Sequence, residues 1–151
     1  MDITKKGNAI IVSGDKKDIS FEDGIVNLDG LVLDFPGEYE KSGIMAHAIE
    51  KGEKLIFQIR FLDKIIGYIN YEDLVVDEEV VDFFGDIDIL IIKGSKESIK
   101  TFENLEAKFV VPYGEHKEIF FSTLGQHTEV VSSLRIKEQA GENEVTFVNL
   151  D

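Results

Sequence analysis

The chain has 151 residues with no cysteine, no tryptophan, two prolines and three histidines. Without cysteine there is no disulfide, no thiolate metal site and no thiol nucleophile. Positive charge is also scarce. Sixteen Lys and Arg face 30 Asp and Glu, a formal net charge of −14. Such a surface repels phosphate backbones and anionic headgroups, so neither nucleic acid nor a membrane is an expected partner. The simplest consequence of the charge is solubility. No stretch approaches the roughly 18 apolar residues of a membrane span. Met1 to Gly7 carries three charges and no apolar run, so no secretory signal is expected. A cytoplasmic location is the expectation.

What is present is a core. Hydrophobic residues make up 43% of the chain, with 11 Phe and 4 Tyr. That is enough for one domain over residues 1–151. The first half reads as short strands. Ala9 to Val12 ends at Ser13-Gly14. Asp23-Gly24 and Asp29-Gly30 are strong hairpin signals on either side of Ile25 to Leu28. Leu31 to Phe35 follows, then Ile44 to Ile49. Leu55 to Phe61 places Leu55, Phe57, Ile59 and Phe61 on one face, and Lys64 to Ile69 pairs back across Leu62-Asp63.

The rhythm then changes. Asp77 is placed to cap a short helix in which Val80, Val81 and Phe84 face inward and Gly85 stops the chain. Ile87 to Ile92 is a near-continuous apolar run, the mark of a buried strand. Ser95 can cap a second helix carrying Ile99, Phe102 and Leu105. Phe109 to Val111 is another buried strand, and Glu118 to Leu124 a third helix ended by Gly125. Leu134 to Lys137 and Val145 to Leu150 close the chain, with a polar loop at Glu138 to Glu144. A meander followed by strand–helix–strand units predicts an α/β (α+β layered) architecture.

The segment Phe35-Pro36-Gly37-Glu38-Tyr39-Glu40, followed by Ser42-Gly43-Ile44, resembles the "PGEYE…GV" signature of a bacterial and archaeal branch of the metallo-β-lactamase-like hydrolases. Phe84 to Ile92 is similar to that family's "G-x-x-D-h-L-h-I-P" strand, h being apolar. Lys108-Phe109-Val110-Val111-Pro112 is similar to its "PKIVIPMHY" strand. The resemblance covers roughly residues 24 to 151. It implies a metallo-β-lactamase-like β-sandwich with flanking helices, trimmed where the early metal motif belongs, and it implies that Glu38 and Tyr39 shape a turn.

The departures bear on chemistry. Active members of that family carry H-x-H-x-D-H early in the chain, yet no histidine here precedes His47. Where the family has "HLGD", this chain has Gly67-Tyr68-Ile69-Asn70-Tyr71. Where it has the ligand histidine of "MHY", Gly114 follows Pro112-Tyr113. A catalytic zinc needs about three protein ligands and an open water position. The expectation is therefore no catalytic residue, no metal and no cofactor.

The remaining candidates read as structural. His47 sits between alanines in a strand, and His127 lies in a polar loop without a pattern. Glu115 and His116, just past the lost ligand position, could form a displaced pair, but no third ligand is evident. Asp86 beside Asp88, Glu38 beside Glu40 and Glu72 beside Asp73 are pairs that an acid-rich composition produces, and Asp86 is expected to serve loop backbone groups. Gly94-Ser95-Lys96 is a weak anion-site candidate at a helix start. There is no G-x-S-x-G and no dinucleotide fingerprint. The former-site rim is expected at Tyr68, Tyr71, Tyr113, Glu115 and His116, as filled core or contact surface. The functional expectation is a non-catalytic interaction or structural module, paired with itself or another protein. A hydrolase with a rebuilt or intermolecular metal site and a small-ligand binder using the vacated cleft are the alternatives.

Overall fold

The computed structural model describes residues 1–126, 128–136 and 144–151. His127 and nearly all of the loop expected at Glu138 to Glu144 lie outside these residues. The protein is sheet-rich, with mixed sheets and three short helices among the described residues. Strands β1 (Asp2–Lys6), β2 (Ala9–Gly14), β3 (Lys17–Glu22), β4 (Ile25–Leu28) and β5 (Leu31–Leu33) follow one another as an antiparallel meander. β6 (Gly37–Lys41), β7 (Ile44–Lys51), β8 (Lys54–Phe61) and β9 (Lys64–Ile69) form a second. After α1 (Glu78–Phe84), β10 (Asp86–Lys93) joins the second sheet beside β9, now parallel. α2 (Ser98–Glu103) leads to β11 (Glu106–Tyr113), parallel to β10, and α3 (Lys117–Leu124) follows. The short strands β12 (Val130–Val131), β13 (Ser133–Arg135), β14 (Thr146–Phe147) and β15 (Asn149–Leu150) finish the chain.

The first sheet runs β13-β1-β2-β3-β4-β5 and the second β14-β11-β10-β9-β8-β7-β6, while β12 and β15 pair separately. Tight turns set the registers. Asp15-Lys16, Asp23-Gly24, Asp29-Gly30, Ser42-Gly43, Gly52-Glu53 and Leu62-Asp63 all have two residues at positive φ, the geometry that matches strand twist in two-residue hairpins. Only some of these carry glycine. The Asp15-Lys16 turn has no such signal, and β3 is correspondingly illegible in the sequence, as is β1 among its charges.

Side-chain alternation divides the core. Phe57, Ile59, Phe61, Ile66 and Tyr68 of the second sheet pack in one cluster with Ile3, Val12, Ile19 and Phe21 of the first. Ile56, Ile69, Leu90 and Ile92 point the other way and join Val80, Phe84, Ile99 and Phe120 from the helices. The Asp77 cap forms as expected, its Oδ1 accepting the Val80 N–H at 3.0 Å. Val81 does not face inward: it is 44% exposed, because the seven-residue helix buries only Val80 and Phe84 fully. Ser95 is not the N-cap of α2: the helix begins at Ser98, Glu97 holds the cap position without a side-chain hydrogen bond, and Ser95 pairs with Ser98 instead. Each of the two serine hydroxyls accepts the other residue's N–H. The Ser95 N–H is thereby spent on Ser98.

Two further expectations are revised. Glu38 and Tyr39 lie in β6, an edge strand, and the bend precedes them: the Tyr39 hydroxyl donates back to the Phe35 carbonyl at 2.6 Å. Asp88, rather than the exposed Asp86, accepts a backbone N–H, that of Ile65 at 2.8 Å.

Gly94 fixes the approach of α3 to the end of β10. A Cβ there would meet the Lys117 Cα at 2.8 Å, and the Gly94 N–H donates to the Tyr113 carbonyl. Gly94→Ala should therefore lower stability by about 1–3 kcal/mol, as overpacking does. Urea unfolding measures it, and an unchanged midpoint would show that α3 is free to shift.

Candidate functional site

The parallel strands end side by side. Ile92 is in register with both Ile69 and Pro112, and Lys93 with Tyr113. The carboxyl ends of parallel strands are where crevices form in α/β sheets. Here that edge carries Asn70, Lys93 and Tyr113, followed by Gly114, Glu115 and His116.

The Asp23-Gly24 turn of the first sheet closes over this edge. The Gly24 N–H donates to the Tyr68 hydroxyl at 3.0 Å. A Cβ on Gly24 would lie 2.9 Å from the Asn70 Nδ2. The Tyr113 hydroxyl donates to the Asn70 Oδ1 and lies 3.4 Å from the Tyr68 hydroxyl. Beneath them the Tyr68 ring meets Phe21 edge-on, centroids 5.0 Å apart. Tyr68 is fully buried and Tyr113 half-buried. The arrangement is a plug of phenols and one carboxamide.

The five expected rim residues thus separate. Tyr68 and Tyr113 meet. Tyr71 is buried with the helix-side cluster, its hydroxyl donating to the Lys51 carbonyl at 2.9 Å. His116 lies on the surface with its Nδ1 3.2 Å from the Glu72 Oε1, so its partner is Glu72 rather than its neighbour Glu115, which is exposed. His47 stacks edge-on against Phe83, centroids 5.2 Å apart. Asn70 lies within the Gly67 to Tyr71 segment and Gly24 within a turn that the sequence marks, but their meeting is not read from the sequence. The Asp23-Gly24 turn was legible, but not the strand end it would cover.

The donor set does not fit a catalytic zinc. Among the described residues, no three His, Cys, Asp or Glu side chains converge to hold a metal. The strand-end groups are phenols and an amide already engaged with one another, whereas such a site needs about three nitrogen, sulfur or carboxylate ligands and an open water position.

Burial dominates the acid–base behaviour of the tyrosines. It raises the Tyr68 hydroxyl above its ordinary range, against its hydrogen bonds to Tyr113 and Gly24. Tyr113 is raised by burial and by the neighbouring Tyr68. Burial pushes Tyr71 up to about 12, although Lys51 lies close enough to oppose the rise.

The larger cavities open elsewhere. One of about 560 Å³ is lined by Leu74, Val75, Lys96 and Lys100, and one of about 680 Å³ by Phe102, Leu105 and Lys108 among others.

Comparison with known proteins gives a likeness of fold. No protein-family model matches the chain, and no curated protein matches it. The fold is similar to a crystal structure from Thermotoga maritima described as a proposed Zn-dependent hydrolase of the metallo-β-lactamase superfamily. The TM-score is 0.73 and the identity 20%, over 99% of this chain and 98% of that one. The likeness is one of fold, and it extends through the first strands as well as through residues 24–151.

A raised tyrosine pKa carries a stability signature. The folded phenol keeps its proton above about 10, where an unfolded tyrosine loses it. The contribution is therefore complete below that pH and declines as pH rises, for Tyr71 through about 12. Unfolding free energy should fall over this window, and Tyr71→Phe should flatten the fall. Equal slopes in the two proteins would rule out a buried, neutral Tyr71.

Proposed function

We propose that this chain is a non-catalytic relative of the metallo-β-lactamase-like hydrolases, a single domain that works as an interaction or structural module. The observation that supports this most is the plug. Tyr68, Asn70 and Tyr113 satisfy one another and the Gly24 N–H at the strand edge where that fold would carry metal ligands. In this reading the two sheets form a β-sandwich with helices on the outer face of the second sheet. The PGEYE-like segment survives as the edge strand β6, a relic of shared ancestry without a role in catalysis.

A site filled from within removes the open water position on which metal-assisted hydrolysis depends. It equally argues against a small ligand in the vacated cleft. The hydrolase alternative draws on one feature, the Glu72–His116 pair at 3.2 Å, which would need a third ligand from a second copy. Protein purified and reloaded with excess zinc, then dialysed, should retain no stoichiometric zinc, iron or manganese by elemental analysis. One tightly held transition metal per chain, lost in His116→Ala, would overturn the non-catalytic reading in favour of the rebuilt site.

The second expectation, association with another copy, draws on the sheet edges. β5 and β6 each form one edge of a sheet and follow each other in the chain. Between and upon them Phe35 is 69% exposed and Val32 51%. Open strand edges next to apolar side chains favour pairing with another chain. Two copies each carrying −14 repel, so added salt should promote the association by screening that repulsion. Light scattering at high concentration should show a dimer whose fraction grows with salt and is lost in Phe35→Glu. A monomer at all salt concentrations would exclude self-association.

A further inference from the structure

The segment between β9 and α1 is neither helix nor strand, yet it is pinned. Leu74 is buried in the helix-side cluster, and its carbonyl accepts the hydroxyl of Thr101, itself buried on α2, at 3.1 Å. The next side chain is left outside. Val75 is 76% exposed, more than any other large apolar side chain among the described residues. An exposed valine alone means little. This one lines a cleft of about 560 Å³ between residues 73–76 and α2, a size that suits a small ligand.

The lining has two kinds of wall. Leu74, Val75 and Val76 supply an aliphatic one, while Lys96, Lys100 and Asn104 come from α2 and the turn before it. Lys100 and Asn104 are one helical turn apart, and the Asn104 Nδ2 donates to the Lys100 carbonyl at 2.7 Å. Neither lysine pairs with an acid among the described residues. The lysines on the other side of the segment are engaged. Lys51 reaches Asp77 and Glu79 at 2.9 Å each, and the Lys54 ammonium lies over the Tyr71 ring, 5.2 Å from its centroid. In a chain of net charge −14, two uncommitted ammonium groups beside an aliphatic wall are a local exception.

The charge count narrows the ligand. Asp73 and Glu97 also line the cleft, so the charges of its lining cancel. Such a site accepts one added negative charge and resists several, which favours a carboxylate over a phosphate. The start of α2 is not the holder, since the Ser95 N–H is bonded to Ser98. We infer that the cleft between residues 73–76 and α2 binds a small amphipathic monocarboxylate, its aliphatic body against Leu74, Val75 and Val76 and its head held by Lys96 and Lys100. The cleft is separate from the phenol plug, and the inference does not rest on the reading of that edge.

Calorimetric titration of sodium octanoate into the full chain tests this. At about 0.1 M KCl the Debye length is about 10 Å, so distant charges contribute little. One saturable site per chain is expected. Acetate, which has the head without the body, should bind about tenfold more weakly or less, because each buried CH₂ adds to affinity. Lys96→Gln and Lys100→Gln should each weaken octanoate about fivefold, the worth of a hydrogen bond to a charged group. Val75→Ser should weaken it too. All three side chains are exposed, so these variants should melt as the parent does. Lys6→Gln, on β1, controls for general charge and should bind as the parent does. Absence of a saturable site, parent-like affinity in both lysine variants, equal weakening in Lys6→Gln, or inorganic phosphate binding as tightly as octanoate would each overturn the assignment.

Discussion

The second sheet must be covered on both faces, and most of the structure follows from that. Its middle strands carry apolar side chains on either side: Ile66 and Tyr68 of β9 one way, Ile69 the other. A strand of this kind is stable only between two other layers of structure. The first meander supplies one cover and the helices the other. At Gly67 the helix side is so close that a Cβ would lie 3.2 Å from the Phe84 ring. The same closeness lets Gln58, on the outer face of β8, reach the Phe83 carbonyl at 3.1 Å.

Covering both faces leaves the strand ends as the place where a pocket could open. Whether one does depends on what the first sheet lays across them. Here the Asp23-Gly24 turn descends onto Tyr68 and Asn70, and the part-buried Gly24 N–H of the turn needs an acceptor. A phenol meets that need while filling volume with a ring, which a carboxylate or imidazole would do less fully. Tyr113 then completes the set by donating to Asn70. The three groups are better understood together than singly, since each removes an unpaired polar group that the others would leave.

The sequence was readable where local chemistry is strong. Asp77 and Gly85 mark the ends of α1, and the apolar run in β10 announces burial. It was opaque where the signal is tertiary. β1 mixes Asp2, Lys5 and Lys6 with one buried isoleucine, so its pattern resembles a tail until β2 and β13 flank it. The turn at Asp15-Lys16 uses residues that adopt positive φ only because the paired strands demand it. At the candidate site, the family resemblance pointed to Tyr68, Tyr71 and Tyr113 together. Tyr68 and Tyr113 meet, whereas Tyr71, past the end of β9, packs in the helix-side cluster.

The acidic composition sharpens the meaning of the few places where charge is organised. With 30 carboxylates in 151 residues, adjacent acids carry little information by themselves. Most are exposed or serve visible structural ends: Asp88 holds the Ile65 N–H, and Asp77 caps α1 while pairing with Lys51. An acid whose task is visible needs no ligand to explain it. The group without a visible task is instead a neutral one, the Asn149 carboxamide, whose oxygen is buried without a described partner, at the cost of an unmade bond.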